Sequence, residues 1–228
     1  MKKNKCYVLV GVVVSLFLLS ACSQSTYTGL TLAKAYPKMY EEKPTTILVM
    51  PPINNTEELE AKDYFYTSLA LPLCERGYYV LSPLLALDFL KSESAYDSEL
   101  FIKGKLKAFH TYLGADALLF TTIDAWNKSA VGATIEVQIT YELRSARTNS
   151  ILFKRHGHLV IDKHSNQGGL AGLLADAIVT GLSKKITAAR TCNGYVLSDL
   201  PDGPYQTKHL KDGDSPASGA VFDAVLRE

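Results

Sequence analysis

Residues 134–144 alternate without interruption: Ile135, Val137, Ile139, Tyr141 and Leu143 fall on one parity, Glu136, Gln138, Thr140 and Glu142 on the other. Successive side chains of a strand point to opposite faces, so the pattern predicts a strand with one dry and one wet side. A chain that carries it must build a sheet wet on one face. The run Thr46-Ile47-Leu48-Val49-Met50, closed by Pro51-Pro52, is of the other kind. It is apolar throughout, as expected of a strand buried on both faces.

The stretches around these strands supply the remaining elements. Asn54-Asn55-Thr56-Glu57-Glu58 offers capping oxygens and then acids that suit a positive helix N-terminus. Phe65, Leu69 and Leu73 then recur every four residues as one helical stripe, which Pro72 should kink or shorten. Arg76-Gly77 marks its exit, glycine supplying the left-handed position, and Tyr78–Leu81 reads as a second strand. Strand, helix and strand within about forty residues predict a right-handed βαβ unit. Helices are expected near 83–91 and 97–113, the latter stopped by Gly114, with further strands at 117–126 and 150–161. Arg147-Thr148-Asn149 forms the hairpin turn before the last of these. A final helix spans 168–189, where Gly169, Gly172, Ala175, Ala177 and Gly181 make a small face. Each internal glycine costs about 1 kcal/mol, so that face implies close backbone packing. The fold class is therefore α/β: a single three-layer-like domain, with a mixed sheet of about five strands, a long antiparallel hairpin and flanking helices. After Asn193, Gly, Pro and Asp cluster in turns around one short amphipathic stretch at 220–226, and this tail is expected to be partly ordered.

The N-terminus reads as an address. Lys2, Lys3 and Lys5 precede fourteen uncharged residues, Cys6 to Leu19, too few for a spanning helix of about 20 but right for a signal core. The core ends in Leu19-Ser20-Ala21-Cys22, which resembles the bacterial lipobox. That resemblance implies removal of residues 1–21 as a lipoprotein signal peptide and lipidation of Cys22. Cleavage would take 21 of the 228 residues and three lysines, leaving 207 residues with 21 basic against 23 acidic side chains. Two or more acyl chains hold a protein on a membrane without spanning it. Ser23, rather than Asp, resembles the sorting signal for the outer membrane, with the body facing the periplasm or the cell surface. The polar stretch 22–43 is then a lipidated tether, 44–192 the periplasmic α/β domain and 193–228 the tail. Fully extended, Ser23–Lys43 would reach roughly 70 Å, unless Tyr27, Tyr36 and Tyr40 dock on the body.

A formal net charge of +1 leaves no electrostatic footprint for nucleic acid. Cys74 and Cys192 remain in an oxidising compartment; a Cys74–Cys192 disulfide is expected, with buried thiols or an intermolecular bridge as alternatives. His156 and His158 share a strand face near Asp162 and His164, but Lys154 and Arg155 beside them oppose a metal, so a solvated strand end is the reading. Gly168-Gly169 matches no phosphate-binding spacing, Gly104-Lys105 no P-loop, and Ser165 beside His164 no nucleophile elbow. Asp116 and Asp124 are read as turn or cap residues, and Trp126 as core. No catalytic residue, metal or cofactor is expected.

Four stretches carry a further resemblance: Ile47–Asn55, Arg76–Leu81, Gly114–Leu119 and the long hairpin through Tyr141. With the lipobox, they resemble the lipoprotein family of the genome-derived Neisseria antigens over most of residues 1–195. More distantly they are similar to the TolB amino-terminal domain, the curli-secretion lipoprotein and the lipoprotein activator of penicillin-binding proteins. The resemblance implies a small domain used for protein–protein contacts in the envelope. The expected function is thus a non-enzymatic component of envelope assembly or secretion machinery, its partners the membrane, envelope proteins and a second copy of itself. The competing reading is a periplasmic small-molecule or peptidoglycan-binding lipoprotein, with its groove near Pro51–Asn55.

Overall fold

The computed structural model describes residues 29–92, 98–129, 134–162 and 181–227. Cys22, Tyr27, His164, Ser165 and residues 168–180 lie outside these, so the expectations placed on them are not addressed by the fold. The described chain runs α1 (Leu32–Ala35), α2 (Pro37–Glu42), β1 (Thr46–Val49), β2 (Ile53–Asn54), α3 (Ala61–Ser68), α4 (Ala70–Glu75) and β3 (Tyr79–Leu81). There follow α5 (Pro83–Ser92), α6 (Glu99–Ile102), α7 (Lys107–Leu113), β4 (Ala117–Lys128), β5 (Thr134–Ser145), β6 (Ile151–Asp162), α8 (Gly181–Leu197) and β7 (Val221–Arg227).

One seven-stranded sheet results, in the order β3-β1-β4-β5-β6-β7, with β2 also paired to β4. Strands β3, β1 and β4 are parallel; β4, β5 and β6 form an antiparallel meander; β7 returns parallel to β6. The two strands beyond the expected five are β2 and β7. Pro51 and Pro52 interrupt the line of β1 because neither has an N–H to donate. The ladder resumes past them, Met50 N–H donating to the Leu119 carbonyl and Asn55 N–H to that of Ile123.

β1 is buried on both sides, as its composition requires. Ile47 and Val49 enter the main core beneath α3 and α8, while Leu48 and Met50 meet Ala86, Leu90 and Phe109 of α5 and α7 on the other face. The long helix expected after β2 breaks at Leu69, since Pro72 cannot donate to the Ser68 carbonyl four residues earlier. Gly77, at φ +79, closes α4, its N–H donating to the Cys74 carbonyl. The helix expected over 97–113 likewise divides into α6 and α7 around Gly104.

Two stretches are more ordered than their composition suggests. The tether's second half forms α1 and α2, which bury Leu32, Tyr36 and Met39 against the body. Fully burying such side chains contributes about 1.5–3 kcal/mol each. Their docking is also polar: Tyr36 and Tyr40 donate to the Asp199 and Asp212 carboxylates at 2.5 and 3.0 Å. At the other end, α8 continues past Ala189 to Leu197, because Cys192 and Val196 extend the buried stripe of Ala188 and Ala189. Residues 198–220 then pack against α1, and β7 completes the sheet.

Candidate interaction face

Side-chain parity sorts the β4–β7 half of the sheet into two surfaces. On one, Val137, Ile139, Tyr141, Phe153 and Leu159 face the core. A buried network fastens that side: the Tyr141 hydroxyl donates to Asn193 Oδ1 at 2.5 Å, and Asn193 Nδ2 donates to Ser68 Oγ and the Phe65 carbonyl. Burial pushes the Tyr141 hydroxyl well above the usual tyrosine range, so it remains a donor. Tyr141→Phe should lower unfolding free energy by about 1–2 kcal/mol by leaving Asn193 Oδ1 short of a donor. Urea unfolding monitored by circular dichroism measures it, and a change of a few tenths would contradict it.

Among the described residues the opposite surface is only partly covered. α5, α6 and α7 cover β3, β1 and the first part of β4, and no element among the described residues covers β5, β6 and β7 there. Among the described residues the three-layer arrangement is therefore complete over one half of the sheet and two-layered over the other. Cross-strand rungs on the open side read Thr122–Thr140–His156–Val221 and Ala125–Gln138–His158–Asp223. Glu142 is covered on this side by its pair with Lys154 at 2.8 Å. β7 ends the sheet, so its outer row of N–H and C=O groups meets no strand among the described residues. Val221 and Val225, 65% and 62% exposed, stand on this edge beside Asp223.

What holds that edge is a buried charge which sequence reading treated as solvated. Arg155 is 1% exposed. Its Nε donates to the Gly219 carbonyl at 3.0 Å, its Nη1 to the Val196 carbonyl at 2.8 Å, and Asp199 Oδ2 stands 3.8 Å from Nε. The guanidinium also lies 5.2 Å from the Phe222 ring centroid and 5.6 Å from that of Tyr195. Asp199 in turn accepts from Tyr36 and from Ser218 N–H at 2.7 Å. Burial, then the Asp199 carboxylate, pushes the Tyr36 hydroxyl far above its ordinary value. One cation thus joins β6, the end of α8, the entry to β7 and α2. The signal was available: Arg155 shares the parity of Phe153, Leu159 and Ile161, which point inward.

His156 and His158 do share the open face, with His158 Nδ1 3.3 Å from Asp223 Oδ1. No group of three or more metal-ligating side chains stands together among the described residues. Asp116 accepts from the N–H groups of Thr45 and Thr46, a structural tie at the start of β1, and Asp124 accepts from Asn55. Trp126 is core, edge-on to Phe65 at 5.7 Å. Of the two cysteines expected to pair, Cys74 stands exposed on α4, where Leu73 takes the inward position, whereas Cys192 is buried on α8, and no bond joins them in this structure. Near Pro51–Asn55 lies a cavity of about 310 Å³ lined by Asn54, Thr56, Lys62, Ser98 and Glu99, among others. Asn54 accepts from Thr56 and donates to the Glu58 carbonyl, and the Ser98 hydroxyl donates to the Pro51 carbonyl. Both side chains therefore organise the loop rather than converge on the cavity.

These features define an open-sheet α/β domain with flanking helices. The chain belongs to the family described as "Putative lipoprotein GNA1162-like", which matches residues 34–198. It is similar to the "Putative lipoprotein NMB1124/NMB1162" of Neisseria meningitidis serogroup B, 25% identical over 154 residues, covering 67% of this chain and 72% of that one. Among solved structures it is similar to lipoprotein GNA1162 from Neisseria meningitidis, with 23% identity, a TM-score of 0.47, and coverage of 61% of this chain and 99% of that chain. A PelC dodecamer from Paraburkholderia phytofirmans is similar at 15% identity and TM-score 0.39, covering 71% of this chain and 90% of that one. The LpoB C-terminal domain from Escherichia coli follows at 12% and 0.37, covering 55% and 95%. None of these relatives is named for a catalytic activity.

Proposed function

We propose that the chain is cleaved before Cys22, lipidated there, and held at the outer membrane facing the periplasm as a non-enzymatic docking component of envelope assembly or secretion machinery. The observation that carries this reading is the β5–β6–β7 surface, which no described element covers and which ends on an edge strand whose outer row meets no described strand. An exposed edge offers main-chain hydrogen bonds to an added strand, and a second copy of this chain is one partner it suits. Ligand capture in the 310 Å³ cavity is the competing reading, supported by that volume.

A photo-reactive residue placed at Val225 in intact cells tests the proposal. Light-dependent adducts of higher mass are expected at 225 and not at Leu100, an exposed residue on α6. Recovery of monomer alone from both positions would sink the docking role.

A further inference from the structure

The end of the sheet at which the chain enters carries a surface that nothing so far has used. There the N-terminal segment is zipped to the C-terminal loop. Leu32 and Ala33 N–H groups donate to the Ser215 and Gly213 carbonyls at 3.0 Å each, and Ala217 N–H donates to the Leu30 carbonyl at 2.9 Å. With Tyr36 and Tyr40 also bonded to Asp199 and Asp212, the chain is fastened to the body from Leu30 onward. Only seven residue steps separate Cys22 from Gly29, at most about 25 Å of chain. The expected reach of roughly 70 Å is thereby cut to about a third.

The same end displays Lys34, Lys38, Lys43, Lys208 and Lys211, all exposed, against the exposed acids Glu41, Glu75 and Asp214. Among the lysines, the 203–211 loop presents Tyr205 at 71% and Leu210 at 43% exposure. Leu210 has φ +59, a left-handed backbone that a leucine rarely adopts, within a turn closed by Lys211 N–H to the Lys208 carbonyl. Tyrosine and lysine flanking an apolar tip are the residues that settle at a headgroup layer, ring and stem in the apolar boundary and charge on phosphate.

We infer that this end rests on the bilayer that holds the anchor, Tyr205 and Leu210 entering the headgroup region and the lysines pairing with anionic lipid phosphates. The inference deepens the proposed anchoring at Cys22 and rests on it. It orients the molecule: β2, the 310 Å³ cavity and the far ends of β4 and β6 point away from the membrane.

The lipidated full chain in vesicles of phosphatidylethanolamine and phosphatidylglycerol, with part of the lipid brominated on its acyl chains, provides the test. Leu210→Trp is compared with Leu59→Trp, 83% exposed at the opposite end, while buried Trp126 gives a constant background. Bromolipid should quench the Leu210→Trp chain several-fold more than the Leu59→Trp chain. Adding Lys208→Glu and Lys211→Glu should remove most of that difference, each lysine contributing about fivefold to surface partition. High salt should weaken it too, as the Debye length contracts from about 10 Å at 0.1 M to about 3 Å at 1 M. Equal quenching at both sites, in vesicles that carry the protein, overturns the orientation and leaves the anchor standing. The anchor is read separately by flotation: Cys22→Ala must lose it, and a Cys22→Ala chain that floats unchanged overturns the acylation on which the inference rests.

Discussion

Arg155→Ala should lower the free energy of unfolding by about 3–5 kcal/mol, the range for breaking a buried ion pair by removing one partner. The Asp199 carboxylate, buried as its partner is, keeps Tyr36 and Ser218 as donors but loses the only cation beside it among the described residues. The Gly219 and Val196 carbonyls lose a donor as well. Arg155→Lys should recover only part of the loss, because an ammonium cannot reproduce a planar fork that reaches two carbonyls at once. Arg155→Met with Asp199→Asn removes both charges and keeps the volume, so it should be much less harmful than Arg155→Ala. Urea midpoints of the three variants decide the matter. An Arg155→Ala chain within 1 kcal/mol of the parent would mean that the guanidinium is better hydrated than its surroundings indicate. Domains of this kind are stable by about 5–15 kcal/mol in total, so the expected loss should also raise protease sensitivity in cells.

Which parts of the architecture could be read in advance follows from how strongly each residue pattern excludes alternatives. The eleven residues from Thr134 to Arg144 alternate with period two and permit no helical reading, and β5 forms there with the expected faces. The apolar run of β1 and the left-handed Gly77 are equally unambiguous. β7 is not: in Val221-Phe222-Asp223-Ala224-Val225-Leu226, apolar residues satisfy both a strand and a short helix, and only pairing with β6 selects between them. The last helix is expected to end at Ala189, yet α8 runs on through Gly194, because a glycine costing about 1 kcal/mol does not stop a helix whose following turn buries Val196 and Leu197 wholly. The face left open among the described residues follows from the wet parity of β5, but its extent does not. That depends on α5–α7 stopping short of β5, a tertiary outcome that no local pattern contains. At Arg155 charge suggests solvent while parity dictates the core, and parity prevails. Inside a strand, the alternation fixes which way a side chain points, and the partners must then accommodate whatever it carries.

Gly157→Ala should detach β7 while leaving the rest of the sheet paired. Gly157 lies opposite Phe222 in the parallel β6–β7 ladder, and a Cβ placed on it would stand 1.8 Å from the Phe222 carbonyl oxygen. That obstacle is backbone, not the end of a flexible side chain, so relief requires the strand to move. Overpacking alone costs about 1–3 kcal/mol, and Phe222, 6% exposed in the native core, would surrender a burial of similar size if β7 left. The net loss should be about 3 kcal/mol, with amide protection disappearing over residues 221–227 and persisting in β4 and β5. His158→Ala, one residue along and on the open face, should do neither, which separates the steric cause from a general weakness of β6. Because β7 supplies the free edge, the Gly157→Ala chain should also lose the Val225 photo-adducts while still floating with membranes. Adducts that survive the loss of amide protection would show that partners grip the face of β5 and β6 and not the edge.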